Sequence, residues 1–210
     1  MSRSYITAAR EAEAELVVEK SRFIAHAAPV ESQEQAEAYI SRIRELYGDA
    51  THNVPVYVLG QDQSIMWSSE DGEPQGTAGA PVLKMLLQEG ISDICIVTTR
   101  YFGGIKLGTG GLVRAYTQVA KEALSKAGKA VVKDMLLQEM ICDYKTYNRI
   151  EKYDFSGRAV VRNPRYLDVV RFELVTDPDD EDEINSLLQD ISGGSVRVLK
   201  KMITQNKIMC

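Results

Sequence analysis

Between Thr98 and Arg114 the chain carries five glycines, Gly103, Gly104, Gly108, Gly110 and Gly111, with three cations, Arg100, Lys106 and Arg114, among them. Glycine admits positive φ and leaves main-chain N–H groups uncovered, and a helix N-terminus adds partial positive charge. Phosphate or carboxylate oxygens could be held on such a surface. The predicted anion-binding set is Arg100, Gly103, Gly104, Lys106, Gly108, Thr109, Gly110, Gly111 and Arg114. A tight strand-to-helix connection explains the glycines without a ligand, and the cations favour the anion reading. Gly103 and Gly108 have the spacing of the Walker glycines, but Thr109 stands in the lysine's place. Gly108-Thr109-Gly110 lacks the third glycine of a dinucleotide fingerprint.

A second dense loop, Ser68 to Gly79, supplies carboxylates and hydroxyls. His52, Ser69, Asp71, Gly72, Glu73, Gly76 and Thr77 are its candidate supporting residues. The carboxylates could take a divalent cation, act as acid and base, or pair with Arg100 and Arg114; pairing is the favoured reading. Ser69, His52 and Asp71 are the residue types of a hydrolytic triad, but no nucleophile elbow surrounds Ser69, and no catalytic residue is assigned. The only histidines, His26 and His52, lie away from cysteine and outside any HExxH, so no zinc or other metal site is predicted. His26 reads as a structural histidine in an apolar strand, and Cys95 as a small core residue. No cofactor is expected.

The elements that must position these residues follow from periodicity. Glu15 to Val30 reads as extended. Ser32 caps a helix, with Gln35 three residues on, and apolar residues from Ala36 to Tyr47 recur at helical spacing up to Gly48. Strands follow at 54–59 and 65–67, then a helix with Pro81 in its first turn ending near Gly90. Ile94 to Thr98 is a buried strand, and from Leu112 an apolar helical face runs to Gly128. Beyond it the pattern is strand, helix, strand, strand, helix, strand, the ferredoxin-like order. The predicted class is α+β with two domains, 1–130 and 131–210.

Composition fits that frame. Three widely spaced cysteines, Cys95, Cys142 and Cys210, encode neither a disulfide framework nor a CxxC site and suit a reducing compartment. No stretch approaches the roughly 18 apolar residues of a membrane span, and Met1 to Arg10 lacks an apolar leader core, so the expected location is cytoplasmic, with no membrane partner. The net charge is −5, yet six acids between Asp177 and Glu183 account for it; the remainder carries +1. Those acids open a predicted helix, where its dipole favours them. Net acidity therefore excludes no nucleic-acid partner.

Two stretches, Ser69 to Gly79 and Val97 to Tyr116, together with Lys20 to Ala25 and Asp49 to Asn53, resemble the signature of the IMPACT family in its bacterial YigZ/YvyE type. The resemblance covers essentially the whole first domain. It implies a first domain with the fold of the second domain of a small-subunit ribosomal protein, and a second similar to the last domain of elongation factor G. Eukaryotic relatives act in translational control, competing for the scaffold that activates a starvation-response kinase. A non-enzymatic, translation-linked regulator is thus expected, with RNA, ribosome or a translation factor as partner. The alternatives are an enzyme or small-ligand protein acting on a phosphorylated or carboxylated metabolite between the 69–79 and 100–111 loops, and a protein-binding adaptor. Val54-Pro55 and Thr109 depart from the family pattern; the proline puts a backbone contact in doubt. Oligomeric state is not encoded in any motif.

Overall fold

Residues 4–209 are described by a computed structural model. Tyr5–Val131 and Val132–Lys207 form two compact units. The architecture is α+β throughout.

Alternating side chains build the first unit. Its sheet has the order β2-β3-β6-β4-β5, with β2 Ala12–Val18, β3 Ser21–Pro29, β4 His52–Leu59, β5 Ile65–Ser68 and β6 Ile94–Tyr101. All these neighbours pair antiparallel. Phe23, Ala25, Ala27, Val54, Val56, Val58, Ile94 and Ile96 point to one face, where they meet α2 (Gly79–Gln88) and α3 (Gly108–Ala127). The period of two sends Ala28, Tyr57, Leu59, Cys95 and Val97 to the other face, against α1 (Gln33–Leu46). The result is helix, sheet, helix in three layers, with β6 central and buried on both sides.

Local sequence explains the joints. Ser32 Oγ accepts the Gln35 amide, and Gln35 Oε1 returns to the Glu31 amide, so α1 is fixed by a variant of the capping box. Pro55 costs the sheet nothing on its β6 side. In an antiparallel strand a residue's N–H and C=O share one direction, and the Pro55 carbonyl already accepts the Ser69 amide, away from β6. A strand the periodicity did not predict, β1 (Ser4–Ala8), bridges through Ile6 to Ile91.

In the second unit, β7 (Lys129–Cys142), α4 (Tyr144–Glu151), β8 (Ala159–Tyr166), β9 (Val170–Thr176), α5 (Glu181–Ser192) and β10 (Arg197–Met209) follow the βαββαβ order. β10 pairs β7 on one side, and β7-β9-β8 continues on the other, a ferredoxin-like sheet. Met140, Cys142, Val170, Phe172 and Leu174 pack under α4 and α5. α4 starts at Tyr144 because Asp143 caps it by accepting the Thr146 amide. Three of the six acids near α5 are paired: Asp177 with Lys133, Glu181 with Lys201 and Glu183 with Arg158.

Candidate anion-binding face and its internal support

The last turns of β6 decide what the basic stretch can do. Arg100 was expected to join Lys106 and Arg114 on one surface; instead β6 extends through Tyr101 and carries Arg100 inside, 5% exposed. Its Nη1 donates to Glu73 Oε1 at 2.6 Å, its Nη2 to Ser21 Oγ at 3.3 Å, and its guanidinium lies over Phe23 and Phe102. A charge in the central strand of a doubly covered sheet must be paired, and Glu73 pairs it. Lys106 and Arg114 are exposed, and among the described residues neither side chain makes an ion pair or hydrogen bond.

Glu73 is equally committed. Its Oε1 also accepts the Tyr116 hydroxyl at 2.7 Å, and His52 Nε2 stands 3.9 Å away. Burial, then the Glu73 charge and the hydrogen bond to it, push the Tyr116 phenol up. Tyr116, read from the sequence as one more apolar position of α3, is thus a donor that locks the helix to the 69–79 loop.

The rest of that loop is bonded inward as well. Glu70 accepts four main-chain N–H groups, Gly76 and Ala80 on Oε1 and Ala78 and Gly79 on Oε2, at 2.8–3.2 Å. The N-terminus of α2 is therefore an anion site already filled by the chain's own carboxylate. The sequence reading left Glu70 out, since the amides that donate to it lie six to ten residues downstream. Asp71 gives one oxygen to Arg44 and the other to the Asn53 amide. His52 Nδ1 meets the main-chain oxygen of Asp71 at 2.7 Å, and Ser69 Oγ accepts the Asp71 amide. Ser69, His52 and Asp71 are therefore close, yet no carboxylate–imidazole–hydroxyl relay joins them. Gly72, at φ +88, lets the turn pass the His52 ring, where a Cβ would come within 3.3 Å. Thr77 donates its hydroxyl to the Pro74 carbonyl.

Of the glycines, Gly103 is fixed by close approach: a Cβ there would fall 2.0 Å from the Lys20 carbonyl carbon in the β2–β3 turn. Gly104 and Gly108 hold positive φ with open space beside them. Gly108, Thr109, Gly110 and Gly111 form the first turn of α3, four residues earlier than the apolar pattern marks its start. No side chain caps that turn. The amides of Gly108, Thr109 and Gly110 meet no hydrogen-bond acceptor among the described residues. The Arg114 guanidinium leans back beside Gly110, with Nη1 3.6 Å from where a Cβ would sit. Phe102 and Ile105, exposed at 46% and 39%, add apolar surface within the same stretch.

The segment that contains all of these residues, 19–124, matches the model of the Impact N-terminal domain. The chain belongs to the IMPACT family. It is 35% identical over 204 residues to the IMPACT family member YvyE of Bacillus subtilis, covering 97% of this chain and 94% of that one. It is 33% identical over 184 residues to the IMPACT family member YigZ of Escherichia coli, covering 87% and 90%. A solved structure described as a hypothetical protein superposes with a TM-score of 0.62 at 32% identity, covering 94% of this chain and 97% of that one. Seen on this IMPACT chain, the matched segment divides into two kinds of residue. Arg100, Glu73, Tyr116, Glu70, Asp71 and Asn53 hold the domain together, while Lys106, the α3 first turn and Arg114 face outward. No helix among the described residues is long and apolar enough to cross a membrane.

Proposed function

We propose that this protein is a non-enzymatic, translation-linked regulator that contacts RNA, the ribosome or a translation factor through the surface around the start of α3. Membership of the IMPACT family is consistent with a translation-linked role. The observation that carries the reading is the uncapped first turn of a 20-residue helix, with three amides unspent between two unpaired cations. A helix N-terminus with free amides favours a negative partner, and Lys106 and Arg114 add full charges to it. Phe102 and Ile105 give the same stretch apolar contact area. The rival reading, a metabolite bound between the 69–79 and 100–111 loops, has less support, because Glu70, Asp71, Glu73 and Arg100 are already engaged with one another or with the main chain.

The test is co-sedimentation of the full chain with ribosomes across a salt series. Lys106→Glu with Arg114→Glu should abolish pelleting, and each single variant should lower the log–log salt slope by about one. Pelleting that the double variant leaves unchanged overturns the proposal.

A further inference from the structure

We propose that Arg165 and Arg171, in the second unit, form a phosphate-binding site. The register of β8 against β9 is the starting observation. Arg162 faces Glu173, but the next aligned pair is Arg165 with Arg171, so three steps on β8 match two on β9. Without the extra residue Pro164 would face Arg171. The bulge instead places two guanidinium side chains directly opposite each other, an arrangement that costs stability when both charges stay unpaired. Bulges of this kind re-aim side chains beside functional sites.

The bulge is held in place by the neighbouring side chains. Asn163 adopts φ +54, and its Nδ2 donates to Glu173 Oε2 at 2.9 Å. Arg162 Nε donates to the same oxygen at 2.9 Å. Glu173 is thus neutralised by Arg162 and leaves Arg165 and Arg171 uncompensated; among the described residues neither makes an ion pair or side-chain hydrogen bond. Both line a cleft of about 60 Å³ together with Asn163, Phe172 and Leu199. Two planar guanidinium forks on adjacent strands match a phosphoryl group, whose oxygens can accept parallel N–H bonds from each; a monoester dianion cancels both charges and a phosphodiester monoanion one. Glu139, exposed at the same cleft and facing Glu173 across β7 and β9, opposes the anion and lowers the site's affinity. The site is a phosphoryl group's, whether that of a small phosphorylated molecule or of an RNA strand.

The experiment uses the full chain and two probes: inorganic phosphate followed by ³¹P NMR, and a short fluorescent single-stranded RNA followed by anisotropy. Arg165→Gln and Arg171→Gln should each weaken the bound probe by roughly tenfold or more, the usual weight of a charged hydrogen bond. Arg165→Lys should lose less. Glu139→Gln should tighten binding several-fold, which a purely structural role for the arginines would not produce. Binding of inorganic phosphate, with displacement of RNA by it, assigns a small phosphorylated ligand. RNA binding that phosphate fails to displace, with a salt slope lowered by about one per arginine removed, assigns a strand. The proposal is overturned if neither probe binds, or if affinity is indifferent to R165Q and R171Q. It stands apart from the α3 reading, since Lys106→Glu and Arg114→Glu leave the effect of R165Q in place.

Discussion

Removing the Glu73 carboxylate tests the account of the first unit most directly. Its side chain is 2% exposed and that of Arg100 6%, and they meet at 2.6 Å. Glu73→Ala leaves a guanidinium enclosed by Phe23, Phe102 and β6 with only Ser21 Oγ as a side-chain partner, and it strips the Tyr116 hydroxyl of its acceptor. Breaking a buried pair from one side costs about 3–5 kcal/mol, because an uncompensated charge remains. Arg100→Met is milder, since Glu73 keeps the Tyr116 hydroxyl as its donor. The double variant Glu73→Leu with Arg100→Met removes both charges and should cost well below the sum of the singles. Trp67, the chain's one tryptophan, lies on β5 and stacks on Tyr57, so its fluorescence reports this unit's unfolding in urea. At a slope of about 2 kcal/mol/M, Glu73→Ala should lower the midpoint by about 1.5–2.5 M. A drop below about 0.5 M, or strict additivity in the cycle, refutes the claim that these two charges depend on each other.

Three further outcomes follow from the same structure. His26 is buried with Nε2 unpartnered, and burial holds its pKa down against the pull of Glu13 and Glu11. Near the ordinary value of 6.5 the unfolded ring gains a proton that the folded ring resists, so acidification toward pH 5.5 should lower stability. His26→Leu should flatten that part of the pH–stability curve in urea titrations, and an unchanged slope contradicts the assignment. Glu70→Ala should cost about 1–2 kcal/mol as a lost helix cap, with faster hydrogen exchange at the Ala78, Gly79 and Ala80 amides. Protection unchanged at those three positions counts against the cap. Gly103→Ala should displace the β2–β3 turn and lower the thermal midpoint more than Gly104→Ala, whose φ of +82 with open surroundings carries a penalty of about 1 kcal/mol; the reverse order in melting experiments rules out the close-approach argument.

Elements with a strong period were legible in the sequence. The Ser32–Gln35 cap, the strands at 54–59 and 65–67 and the apolar face of α3 stand where the pattern puts them, as does the ferredoxin-like order of the second unit. Boundaries set by long-range bonds were not. Arg100 looked like a loop cation because charge in a sequence carries no sign of burial; only the pairing of β6 with both β3 and β4 puts it inside. Its partner lies 27 residues away, at a distance no local pattern reports. Gly108 to Gly111 looked like a loop because they are poor helix formers, yet they make the first turn of α3, which the packed face behind them sustains.

The two stretches that suggested the family are bonded to each other: Glu73 joins Arg100 and Tyr116, and Asp71 holds the strand at Asn53. Much of that long signature is therefore spent on assembling the domain, through a carboxylate, a guanidinium and a phenol that must all be present together. What remains for the proposed partner is short: Ile105, Lys106, the first turn of α3 and Arg114, since Phe102 also covers the Arg100 guanidinium. A substitution that spares the internal set and alters the outer one should change binding while leaving the urea midpoint where it was. The converse set should move the midpoint and reach the partner only through it. That separation follows from which oxygen each donor faces, and under the proposed function it makes fold and recognition in this domain independently mutable.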